Sequence, residues 1–94
     1  MSISQPESRP LINITELFNS DPEWAAKRDK AIKKLYDGNT QEFNAFMSKL
    51  EPMRDWKDVM DAVEAEFMRK KIKQDSKEAT GLTDVLFKRY FPSY

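Results

Sequence analysis

Ninety-four residues, 39% of them hydrophobic and 34% charged, with only two glycines, suffice for one domain around one core and are too apolar for a disordered chain. Sixteen basic residues balance sixteen acidic ones, which argues against a dedicated nucleic-acid binder with its usual basic excess. The chain has no cysteine and no histidine, which excludes disulfides, thiolate chemistry, and the commonest general base and metal ligand, and makes a reducing cytoplasm the expected compartment.

The start, Met1 to Pro6, has neither the basic flank nor the apolar run of a signal peptide. Nowhere do eighteen apolar residues follow one another, so no membrane span is expected. Residues 1–10, with Pro6 and Pro10 among polar neighbours, read as a mobile arm, and residues 11–94 as a single helical domain. From Leu11 the character changes: Ile12, Ile14, Leu17 and Phe18 follow closely, and Asn13 with Glu16 has the spacing of a capping pair for a short helix over 14–19. These apolar residues are expected to lie across the core.

Asp21-Pro22-Glu23 is a helix start, with a capping carboxylate, a proline in the first position and an acid that complements the dipole. That helix is expected to run to Asp37 and stop at a left-handed Gly38. Trp24, Ala25, Ile32, Leu35 and Tyr36 share one side of it. Arg28 falls among them and is expected to extend to the rim, its aliphatic stem on the apolar surface. Asn39 opens the next helix, striped by Phe43, Phe46, Met47 and Leu50.

A long helix is expected over about residues 53–73, where Trp56, Val59, Met60, Val63 and Phe67 recur at three- and four-residue steps. The polar stretch from Gln74 to Gly81 reads as a loop, and Leu82 to Phe91 as a last short helix stopped by Pro92. The fold class is therefore all-α, a small bundle of four to five helices organised around the long one. Its expected core holds Trp56, Val59, Val63, Phe67, Phe43, Phe46, Leu50, Ile32 and Leu35.

Catalytic motifs are missing. A serine nucleophile would need a lysine base in a defined turn, and Gly38 and Gly81 are too far apart for a phosphate loop. Asp55, Asp58, Asp61 and Glu64 rotate progressively round a helix and do not converge on one metal ion. The reading is a protein that is not an enzyme, with no catalytic, cofactor or metal site.

Charge along the long helix is polarised. Residues 51–66 carry six acids against Arg54 and Lys57, and residues 69–77 carry Arg69, Lys70, Lys71, Lys73 and Lys77 against Asp75. Complementing the dipole accounts for the end turns. Two antiparallel copies would also place each acidic half beside the other's basic half, an arrangement with two-fold symmetry. Met68 and Ile72 lie away from the main stripe, to be covered either by the C-terminal segment or by a second chain.

In the last helix Leu82, Val85, Leu86 and Tyr90 make one face while Phe87 and Phe91 point elsewhere, so some must be exposed. The expected partner-binding residues are Met68, Arg69, Lys70, Lys71, Ile72, Phe87, Lys88, Arg89, Tyr90 and Phe91. The leading functional expectation is a small regulator or adaptor that binds a protein partner and forms a homodimer. The alternative is a nucleic-acid-associated regulator using the basic end of the long helix.

Overall fold

A computed structural model describes residues 11–92, which form five α-helices. The expected arm over residues 1–10 lies outside the described residues. The helices are α1 (Ile14–Asn19), α2 (Pro22–Leu35), α3 (Thr40–Leu50), α4 (Trp56–Lys70) and α5 (Lys77–Tyr90).

Each start is fixed by a side-chain oxygen that accepts from an otherwise unpaired backbone N–H. Asn13, Asp21, Asn39, Asp55 and Ser76 accept from Thr15, Glu23, Glu42, Lys57 and Ala79. The helix α2 ends at Leu35, two residues short of the expected Asp37. Asp37 (φ 52°) and Gly38 (φ 79°) then turn the chain through two successive left-handed conformations towards α3.

The helix α4 holds the whole apolar stripe but is shorter than the expected span of 53–73, at 15 residues. Asp55 caps it at one end. At the other, Lys71 adopts φ 59°, the Lys71 N–H donates to the Met68 carbonyl, and the Ile72 N–H donates back to the Phe67 carbonyl. This pair of bonds is a Schellman stop, which characteristically sets the residue after the left-handed one against the last core residue of the helix. Ile72 accordingly packs on the core that includes buried Phe67. It is therefore not on the outer face of α4 beside Met68, which is 72% exposed. At 15 residues against 14 each in α2 and α5, α4 does not outweigh its neighbours.

The largest departure from the sequence expectation is at Gln74–Gly81. Ser76 caps a helix that begins at Lys77, so Gly81 sits in the first half of α5 instead of ending a loop. A Cβ at Gly81 would meet the aliphatic part of the Lys27 side chain at 3.6 Å, an ordinary contact, so packing does not demand a glycine there. The backbones of α1, α2 and α5 approach one another most closely.

The core joins Ile14, Leu17 and Phe18 of α1 to Phe43, Phe46 and Leu50 of α3, Val59, Val63 and Phe67 of α4, and Leu82, Val85 and Leu86 of α5. The expected crossing of the core by the segment after Leu11 therefore holds at Ile14, Leu17 and Phe18. Of the expected core residues, Trp56 and Ile32 are only partly buried. Arg28 stays at the rim, where its guanidinium donates to Asn19 and Asp29.

Candidate interaction surface

The segment before α1, the start of α4 and the last turn of α5 meet at one end of the bundle, and a single arginine ties them. Arg89 is 5% exposed, in a position that an arginine tolerates only when its donors are used. Its Nε donates to the Ile12 carbonyl (2.7 Å), and its Nη2 donates to both the Glu51 carbonyl (3.0 Å) and the Glu51 carboxylate (2.8 Å). Its Nη1 donates to the Tyr90 hydroxyl, which in turn donates to the Met53 carbonyl. The other Glu51 oxygen accepts from the Ile14 N–H at the start of α1. Burial raises the Tyr90 hydroxyl above the ordinary tyrosine range.

Over this clasp runs a ladder of rings. Tyr90 lies 5.6 Å from Trp56, Trp56 meets Phe87 edge-on at 5.2 Å, and Phe87 stacks on Phe91 at 4.7 Å. These spacings are those of favourable aromatic pairs. The ladder does not close over itself. Beside it opens a cleft of about 720 Å³, floored by Leu11, Ile12, Leu17, Trp24, Trp56 and Phe91, with Arg54, Asp55 and Lys88 among its other lining groups. The described residues include three exposed large apolar side chains, Ile12, Met68 and Phe91, and two of them share this cleft.

The other end of α4 is a different kind of surface. Lys70 Nζ donates to Glu42 of α3 (3.0 Å) and lies over the Tyr36 ring, while Arg69 pairs with Glu66 (3.0 Å) and reaches Glu42 (3.5 Å). The hydrogen bond from Lys70 holds the Glu42 carboxyl below its usual range, and that from Arg69 to Glu66 raises the guanidinium still further. Burial, followed by the hydrogen bond from its hydroxyl to Glu66 (2.8 Å), pushes Tyr36 well above the ordinary tyrosine range.

The expected partner-binding residues therefore fall into two groups. Phe87, Lys88, Arg89, Tyr90 and Phe91 gather round Trp56 at the start of α4, and Met68, Arg69, Lys70, Lys71 and Ile72 sit at its far end. Twelve positions of helix separate Trp56 from Met68, about 18 Å at 1.5 Å per residue. Within the first group Arg89 is buried, Phe87, Lys88 and Tyr90 are half-buried, and Phe91 is exposed. Within the second, Met68, Arg69 and Lys71 are exposed, and Lys70 and Ile72 are half-buried.

Sequence reasoning missed Glu51, Arg54, Ile12 and Trp24 as parts of the cleft end. No local pattern marks them, because they come together across up to 77 positions of chain. Among the described residues no group of three acidic side chains is placed to hold a metal ion, and no helix is long and apolar enough to cross a membrane.

A family model described as a domain of unknown function (DUF8457) matches residues 25–91. The chain belongs to that family. The matched segment takes in most of α2, all of α3, α4 and α5, and both partners of the Arg89–Glu51 clasp, whereas α1 and Ile12 precede it. No curated protein and no solved structure matches the chain.

Proposed function

We propose that this protein is a non-enzymatic interaction module, a small regulator or adaptor that docks a protein partner in the cleft between Ile12, Trp56 and Phe91. The observation that carries the reading is the gathering of two exposed large apolar side chains and two half-buried tryptophans, Trp24 and Trp56, in one concave surface. Exposed apolar groups that cluster in a recess are what a partner's anchors require, and tryptophan is prominent among residues that dominate interface energetics. Arg89 supports the site from beneath without facing a partner, since Ile12, Glu51 and Tyr90 occupy its donors.

The basic end of α4 favours neither a homodimer crossing there nor nucleic acid. Arg69 and Lys70 already pair with Glu42 and Glu66, and Ile72 is turned inward, which leaves Met68 as the large exposed apolar group of that patch. Affinity capture from native lysate tests the assignment. A protein retained by the wild type and by Met68→Glu, but lost on Phe91→Glu, is the expected result. Loss on Met68→Glu alone would move docking to α4, and a captured species removed by nuclease would establish the nucleic-acid alternative.

A further inference from the structure

Two exposed helix faces of opposite charge do not meet within the chain. We infer that they meet between chains: the outer face of α4 in one copy docks on the lysine flank of α2 in another. This goes beyond the docking reading above and leaves the cleft free.

The lysine flank comes first. From Lys27 to Lys34, α2 carries five cations against Asp29. Arg28 is taken up by Asp29 and Asn19, whereas Lys27, Lys30, Lys33 and Lys34 make no ion pair among the described residues. Lys27, Lys30 and Lys34 are three and four positions apart and so share one flank of the helix. The stem of Lys27 lies near Gly81, which sets this flank beside α5, and Lys30 and Lys34 are exposed. Asp84 of α5 shares a recess with Lys27 without pairing with it.

The matching face is on α4. From Asp55 to Glu66 that helix carries five acids against Lys57. Asp55 caps the helix, and Glu66 is engaged by Tyr36 and Arg69. Asp58, Asp61 and Glu64 are exposed, and the Lys57 ammonium reaches Asp61 alone, at 3.4 Å. One turn beyond Glu64 stands Met68, whose exposure no other helix relieves. An exposed methionine at the end of an acid row calls for a surface that offers both apolar cover and positive charge. Lysines supply both, since their aliphatic stems can lie over Met68 while their ammonium groups reach the acids.

The two faces stay apart in one chain because α2 packs most closely on α5 and α1. Each copy therefore presents one face of each sign. The contact is heterologous, and a copy bound through α2 still offers its α4. A net charge of zero removes the overall repulsion that would hold copies apart. Two helix faces make a small interface, so the association is weak, and the charges set its register. A phosphate backbone would match the lysines but give Met68 no cover.

Sedimentation velocity of the full-length chain at rising concentration tests this. The wild type should form dimers and larger species at about 20 mM salt and return to monomer at about 0.5 M, where charges are screened within a few ångströms. Lys30→Gln with Lys34→Gln weakens the α2 flank and keeps α4 intact; Asp61→Asn with Glu64→Gln does the reverse. Each double variant alone should associate about tenfold more weakly. An equimolar mixture should recover the contact but stop at one-to-one dimers, because only one intact pair of faces remains. Met68→Ala should weaken wild-type association several-fold, which general attraction between charged surfaces would not produce. Circular dichroism should show every variant folded. A wild type that stays monomeric at low salt would overturn the inference, as would association indifferent to Met68→Ala or to the Lys30 and Lys34 changes. A monomer that binds a random DNA duplex, and loses it on Lys30→Gln with Lys34→Gln, would overturn it too and give the flank to nucleic acid. None of these outcomes touches the docking reading, which depends on Phe91.

Discussion

The two ends of α4 use charge in opposite ways. At its C-terminal end two cations, Arg69 (60% exposed) and Lys70 (18%), share two carboxylates, Glu42 and Glu66, in a partly exposed network of side chains only. At its N-terminal end a single ion pair, Arg89 with Glu51, is half withdrawn from water: the arginine side chain is 3% exposed and the glutamate 36%. It also satisfies two backbone carbonyls and, through Glu51, one backbone N–H. A paired surface resists a partner, since binding there would first have to displace the existing pairs. At the other end the ion pair lies beneath the aromatic rings. On the docking reading proposed above, recognition would belong to the aromatic end alone.

Breaking the clasp should have the largest effect. Arg89→Met keeps much of the packing stem but strands the Ile12 and Glu51 carbonyls and half of the Glu51 carboxylate, and a cost of about 3 kcal/mol is expected. Urea denaturation followed by tryptophan fluorescence checks it, because Trp56 lies over the clasp. A loss below about 1 kcal/mol would place Arg89 among ordinary surface pairs and remove the contrast.

At the opposite end, Lys71 holds a left-handed conformation that a side chain disfavours. Lys71→Gly should therefore stabilise the fold by about 1 kcal/mol, less what the freer unfolded chain takes back. A rise in midpoint temperature measured by calorimetry supports the Schellman stop. A fall would mean that the Lys71 side chain makes a contact worth more than the backbone strain.

The smallest effect is the most diagnostic of surface pairing. Hydrogen bonding from Lys70 depresses the folded-state titration of Glu42, so the folded protein releases that proton more readily than the unfolded chain. The associated stability is present above the ordinary carboxylate value, about 4.3, and is lost as pH falls through the depressed one. Glu42→Gln should thus narrow the gap between stability at neutral pH and at strongly acid pH, and the narrowing should shrink in high salt. An unchanged pH profile would show that the Glu42 pair is not maintained in solution.

Much of the fold was legible in short stretches. Asn13, Asp21-Pro22 and Asn39 announce three helix starts because a cap is a contact between neighbours two or three positions apart, which sequence displays directly. The stripes of α3 and α4 identified Phe43, Phe46, Leu50, Val59, Val63 and Phe67 as core, since a 3.6-residue period needs no tertiary information. Reading failed where a local sign had two meanings. Gly81 looked like a stop, but it lies inside α5, which the Ser76 cap starts at Lys77. The long helix was expected to run on to Lys73 with Ile72 on its surface, yet a non-glycine residue, Lys71, turns the chain and carries Ile72 inward.

The candidate site was half visible. The aromatic and basic character of Phe87 to Phe91 marked the last turn of α5 as unable to bury all its large side chains. Which of them would be spent inside, and which left outside, depended on Glu51 and Ile12, 38 and 77 positions away from Arg89. The sequence by itself determined a bundle of four to five helices, three of the caps and most of the apolar faces, because those follow from backbone periodicity and short-range hydrogen bonds. Only the tertiary structure decided that Arg89 is a hidden tie, that Glu42 of α3 pairs with Arg69 and Lys70 of α4, and that Ile12 and Phe91 share one cleft. Each of those facts is a pairing between distant segments, fixed when burial forces a charged group to find a partner or an apolar surface to find cover.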